Sequence, residues 1–192
     1  MTLNPYDQIA TQFDAHRTSF REKKYLDQLL ETLAPKSSIL DVGCGTGRPI
    51  GAYLHQKGYA VTGVDASPEM LKLARAHLPE APLILGDILV LDFTPSFAAI
   101  VAWDSVFHIR REAHLGLFKK FYRWLDSKGM LLISLGATEW EGTSDMFGHR
   151  FFYSGYAPEQ SIALLEEAGF SIISWEVDDP SSRGHAVFLA RI

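Results

Sequence analysis

The 192-residue chain predicts an α/β fold: a mostly parallel sheet of seven strands, helices on both faces, and an antiparallel hairpin at the C-terminal end. Three observations predict it. Short apolar segments alternate with segments whose apolar residues recur at helical spacing, the pattern of strand–helix units. Strands one, three, four and five read as near-continuous apolar runs, as strands covered on both faces do. The last two strand-like segments are joined by residues 178–184, too short and turn-rich for a helix, so they must pair antiparallel.

Each element has its own signal. Residues 5–33 read as one or two helices ahead of the sheet, and 1–35 as a helical cap on one domain spanning 1–192. Residues 38–42 are the first strand, running into a glycine-rich turn. Residues 48–57 are a helix that stops at Gly58, and 60–65 the second strand. Ser67 and Pro68 open the next helix as N-cap and first turn; it carries Met70, Leu71, Leu73 and Ala74 and ends near Pro79. Residues 82–86 and 97–103 are the third and fourth strands. Over 111–125, Leu115, Phe118, Phe121, Tyr122 and Leu125 recur at helical spacing. Residues 129–135 are the fifth strand, 158–168 a helix stopped by Gly169, and 170–177 and 185–192 the final strands. Residues 136–157 predict a loop, long enough to be functional or partly ordered. It holds Trp140, Phe147, Phe151, Phe152, Tyr153 and Tyr156, and is expected to close as an apolar lid over a substrate.

Composition narrows the function. Apolar residues make up 47% and charged residues 21%, as in ordinary globular domains. A net charge of −5 argues against a dedicated nucleic-acid binder. The one cysteine, Cys44, rules out an intrachain disulfide. The N-terminal residues carry no apolar secretory core, and no apolar run approaches the ~20 residues that span a bilayer. A cytoplasmic protein, monomeric or homodimeric, is expected.

The strongest motif is Ile39-Leu-Asp-Val-Gly-Cys-Gly-Thr-Gly-Arg48. A strand ends, Gly43, Gly45 and Gly47 let backbone approach a ligand, and a helix begins. Dinucleotide sites need G-x-G-x-x-G; here Arg48 stands where that pattern needs its last glycine. Asp41 precedes the turn, where a carboxylate repels phosphate and attracts an ammonium group. This disfavours a nicotinamide-dependent oxidoreductase.

The loop resembles motif I of the class I S-adenosylmethionine-dependent methyltransferases, and the resemblance covers most of the chain from Ile39 onward. It implies a Rossmann-like sheet in the order 3-2-1-4-5-7-6. It implies that Asp41 meets the methionine amine, that the backbone of Gly43, Cys44, Gly45 and Gly47 forms the cradle, and that Asp65 grips both ribose hydroxyls. Asp87 would meet the adenine amine, Ala66 and Met70 would flank the ring, and Ile88 would offer its N–H. Trp103 and the following residues to His108 lie where the family places its acceptor-side motif, and Tyr6 matches an N-terminal tyrosine that folds over the cofactor, with Phe13 close behind. The stretch Trp-Asp-Ser-Val-Phe-His-Ile109 is similar to small bacterial methyltransferases of unassigned acceptor.

His108 sits just beyond strand four, at the carboxyl edge where open α/β sheets bind ligands, and is the candidate general base. Trp140, His149, Tyr153 and His185 are the candidate substrate residues. No tight His-x-x-x-His or His-x-Glu pair supports a metal site. His16, His55, His77 and His114 read as surface residues. The expected partner is a small, apolar or aromatic methyl acceptor. The alternatives are methylation of RNA or protein, for which a basic rim and an Asn-Pro-Pro-Tyr-like motif are wanting, or a non-catalytic S-adenosylmethionine-binding module.

Overall fold

The computed structural model describes residues 4–94, 96–178 and 184–192. The chain runs α1 (Pro5–His16), α2 (Lys23–Leu30), β1 (Ser38–Val42), α3 (Ile50–Gln56), β2 (Ala60–Asp65), α4 (Pro68–His77), β3 (Leu83–Leu85) and β4 (Phe97–Ala102). It continues with α5 (His114–Trp124), β5 (Leu125–Gly136), β6 (Trp140–Met146), β7 (His149–Gly155), α6 (Pro158–Glu167), β8 (Ser171–Val177) and β9 (His185–Arg191). Seven strands form one sheet in the order β3-β2-β1-β4-β5-β9-β8. The first five are parallel, and β9 runs antiparallel to both β5 and β8. With β6 and β7 set apart, this is the expected order. Of the turn expected over residues 178–184, residues 179–183 lie outside the described residues.

Burial on both faces explains the continuous apolar strands. Successive side chains point to opposite faces. Ile39, Val101, Leu132 and Leu189 pack with Leu26, Leu29 and Leu54 of α2 and α3. Leu40, Ile100, Ile133 and Phe188 pack with Phe118, Phe121 and Leu165 of α5 and α6. Helix starts follow the sequence: Asn4 caps α1, accepting from the Tyr6 amide at 3.1 Å, and Ser67 caps α4, accepting from the Met70 amide at 3.1 Å. Boundaries shift where chemistry demands. Helix α3 starts at Ile50, after Pro49, and α5 starts at His114, after a 3-10 turn over Arg111–Ala113.

The region expected as a loop is a hairpin, and this corrects the sequence reading. β6 and β7 pair antiparallel from Trp140↔Gly155 to Met146↔His149. Phe147 and Gly148 turn the corner with φ of 51° and 77°, the left-handed pair of a two-residue hairpin turn. Burial alternates residue by residue along β6. Its exposed positions hold Glu141, Thr143 and Asp145, while Gly142 and Ser144 fill two of the covered ones, so the sequence shows no apolar stripe.

Helix α1 packs on α4, where the Ser67 hydroxyl donates to Asp7 at 2.5 Å, and it is held to the turn ahead of α3 by Arg48, which grips both carboxylate oxygens of Asp14 at 2.7 Å. Among the described residues no helix is long and apolar enough to cross a membrane.

Candidate active site

A cavity of about 550 Å³ opens at the carboxyl ends of β1, β2 and β4, with α1 across its mouth. That is where the strand order reverses direction, at the β1–β4 junction. Tyr6, Asp41, Gly43, Cys44, Gly45, Asp65, Ala66, Met70, Asp87, Ile88, Trp103 and His108 all line it. The expected cofactor set is therefore brought together, apart from Gly47. A side chain at Gly47 would meet Leu78 at 3.0 Å and Ala74 at 3.3 Å, so this glycine admits α4 against the turn.

The turn is built for close approach. Gly43, with φ of 71°, has room for no side chain: an added Cβ would lie 2.4 Å from the Ser105 Cβ. Gly45, with φ of 54°, faces Phe13 of α1. The Cys44 side chain turns inward beside Gly63, leaving its backbone to the cleft, and burial pushes its thiol up.

Three carboxylates are set in different environments. Asp41 is 2% exposed and its Oδ2 has no hydrogen-bond partner. Burial, then the charge of Asp65, pushes its carboxyl up to about 7. Such a group is stable as an anion only when a cation arrives. Asp65 accepts the Gly45 amide on Oδ2 and the Ser67 amide on Oδ1, each at 2.8 Å. Burial raises its carboxyl, and these amides oppose the rise. Each oxygen keeps a further lone pair for an incoming hydroxyl. Asp87 is exposed and accepts the Leu89 amide at 2.8 Å, so its carboxylate is fixed at the far end of the cleft.

His108 is not a free base. Its Nδ1 lies 2.8 Å from the Phe152 carbonyl and its Nε2 2.7 Å from the Tyr6 hydroxyl. A carbonyl only accepts, so Nδ1 carries the proton and Nε2 accepts from Tyr6. Burial holds the imidazole below its usual range and the Tyr6 phenol well above its own, so both are neutral at pH 7. The three groups tie α1, the segment after β4 and the hairpin into one closure.

The substrate candidates divide. Trp140, Tyr153 and His185 line a second cavity of about 190 Å³ under the hairpin, with Phe107 on its wall. His149 lines neither cavity; it begins β7 at the hairpin tip, opposite Met146. His114, expected on the surface, is 2% exposed. Its Nε2 donates to the Ile109 carbonyl at 3.1 Å, an arrangement that sequence spacing does not reveal.

Two lining residues were not singled out from sequence. Asp104 has φ of 49°, a left-handed conformation rare outside glycine and frequent at functional sites. Its amide donates to Ser134 at 2.8 Å, and its carboxylate lies 3.5 Å from Arg17 and 3.6 Å from His185. Arg17 also pairs with buried Glu22. An acid one residue past strand four was the available signal for Asp104; nothing local marks Arg17.

Residues 39–129 match a family described as "Methyltransferase domain". The phosphoethanolamine N-methyltransferase of Plasmodium falciparum is 33% identical over 131 residues, covering 65% of this chain and 48% of that one. The chain spans about half the length of the curated relatives it matches. Among solved structures, an S-adenosylmethionine-dependent methyltransferase from Clostridium acetobutylicum superposes with a TM-score of 0.78 at 18% identity, covering 98% of this chain and 99% of that chain. The 1,6-didemethyltoxoflavin-N1-methyltransferase of Burkholderia thailandensis, solved with its acceptor and S-adenosylhomocysteine, gives 0.75 at 20% identity, covering 97% and 83%.

Proposed function

We propose, from the premise that this chain carries a methyltransferase domain on the class I fold, that it binds S-adenosylmethionine and passes the methyl group to a small molecule. The observation that carries the reading is Asp41: a buried carboxylate lining the cleft behind a glycine turn, with an oxygen that has no hydrogen-bond partner. It suits the ammonium of an amino-acid-bearing nucleoside and opposes a diphosphate. Asp65 suits two vicinal hydroxyls, Ala66 and Met70 an adenine face, and Asp87 its amine.

When bound, S-adenosylmethionine supplies a methyl group on a sulfonium. The chain's residues then have to orient and enclose. The backbone at Gly43 to Gly45 lets the ligand lie against the sheet edge, and Trp103 and Asp104 border the cleft at the end of β4. In-line displacement needs reacting atoms about 3–3.5 Å apart with water excluded. The Tyr6–His108–Phe152 chain supports that exclusion by holding α1 and the hairpin over the cleft. His108 acts here as a positioning residue rather than as the general base. A small acceptor fits a site capped by a helix and a hairpin, and two of the relatives named above, the phosphoethanolamine N-methyltransferase and the 1,6-didemethyltoxoflavin-N1-methyltransferase, are named for small-molecule acceptors.

Calorimetry with S-adenosylhomocysteine, S-adenosylmethionine and NADH tests the cofactor. The first two should bind and NADH should not; no binding of either sulfur nucleoside removes the reading. Radiolabelled methyl transfer to a metabolite extract, against RNA and protein fractions, tests the acceptor class, and label entering only macromolecules would refute the small-molecule part.

A further inference from the structure

The smaller cavity has a composition of its own. Phe107 and His185 lie nearly parallel, 16° apart with centroids at 5.6 Å, and Tyr153 is tilted 30° from Phe107 at the same 5.6 Å. Trp140 continues the wall, 6.1 Å from Tyr153. Thr138 and Ser144 bring hydroxyls, and among the described residues no Asp, Glu, Lys or Arg lines it. Two arginines near the hairpin are engaged elsewhere: Arg111 pairs with Glu139 at 2.7 Å, and Arg110 lies over the Phe152 ring at 5.3 Å.

The cavity also borders the larger cleft. Phe107 lines the smaller space and His108, its neighbour in sequence, lines the larger. Across the same wall, His185 stands 3.6 Å from Asp104, which faces the larger cleft. A molecule seated under the hairpin would thus lie against the wall whose other side, with Asp104 and His108, borders the site assigned to the methyl donor.

We propose that this cavity is the acceptor's ring-binding subsite and that it takes an uncharged planar aromatic group. The proposal rests on the methyl-transfer reading above and names its substrate class. Flat walls favour a flat guest, since offset and edge-on aromatic packing adds to simple burial. Among the described lining residues a phosphate taken from water would find no Lys or Arg to meet it. A long alkyl chain would overfill the space, because 190 Å³ is below the roughly 300–1,000 Å³ of drug-sized pockets. The hydroxyls of Thr138, Ser144 and Tyr153 leave partners for one or two ring heteroatoms. This separates the chain from the phosphoethanolamine enzymes it resembles in sequence.

Ligand-observed NMR saturation transfer on the full chain, with quinoline and phosphoethanolamine as probes, tests the assignment. Quinoline should receive saturation and phosphoethanolamine should not. Phe107→Leu and Trp140→Leu should each weaken the quinoline signal at least fivefold, with S-adenosylhomocysteine affinity by calorimetry within twofold. No transfer to quinoline, preference for phosphoethanolamine, or a quinoline signal indifferent to both substitutions overturns the proposal. So does a loss of quinoline in both variants that always comes with loss of the nucleoside, which would mark collapse of the shared wall. If the unaltered chain binds quinoline as stated but no sulfur nucleoside, the cofactor reading fails while the ring subsite stands.

Discussion

The proposed nucleoside site turns on two single residues. At Gly43 a methyl group would sit 2.4 Å from the Ser105 Cβ while holding φ at 71°, so Gly43→Ala must move the segment after β4. The strain is about 1–3 kcal/mol, and calorimetry should show S-adenosylhomocysteine affinity reduced at least tenfold. Asp41 gives a prediction with a sign. Its carboxyl titrates near 7 in the folded chain, against about 3.9 unfolded. The folded state therefore holds the proton longer, and the associated stability, full below about pH 4, is lost as pH rises toward 7. An ammonium ligand needs the anion, so affinity should fall up to about tenfold per pH unit below 7. Asp41→Asn should flatten that profile, weaken binding, and raise the melting temperature of the unliganded protein at pH 8. A pH-independent affinity in the unaltered chain between pH 5.5 and 7 would contradict this.

At the scale of elements, the hairpin matters most. Its turn depends on Gly148 at φ of 77°, where a β-branched residue is strained. Gly148→Val should cost about 1–2 kcal/mol locally. Hydrogen exchange should speed up over β6 and β7 and stay unchanged in β1, β4 and β5; uniform acceleration would mean that the hairpin is not a separate unit. This same element was the one hidden in the sequence. Strand β4 announces itself because both faces are apolar and buried, as Ala99, Ile100 and Val101 show. Strand β6 covers only one face, with Gly142 and Ser144 among its covered positions, and its Phe-Gly turn lacks the usual Asn-Gly signal. The residues proposed to hold the nucleoside could be picked out in the sequence because one short turn and three strand ends carry them. Asp104 and Arg17 were harder to see: their meeting joins positions far apart in sequence, and only the closed fold reveals it.

Across the whole molecule, one sheet separates two cores, and the α5–α6 side holds the largest buried rings. Phe118 has no exposed surface. Phe118→Ala should lower stability by about 3–5 kcal/mol, which for a chain of this size is a fall of roughly 6–20 °C in melting temperature by calorimetry. A smaller change would mean that α5 relaxes into the space. The same sheet carries both chambers on its carboxyl edge, and residues 103–108 form the partition between them. That shared partition limits how acceptor choice can diverge. Any change to Asp104 or His108 made for a new guest is felt by the donor's chamber, whereas Trp140, Ser144 and Tyr153 stand on a β-ribbon outside the main sheet. New specificities should therefore accumulate on that ribbon, and grafting it between relatives is the economical way to retarget the scaffold.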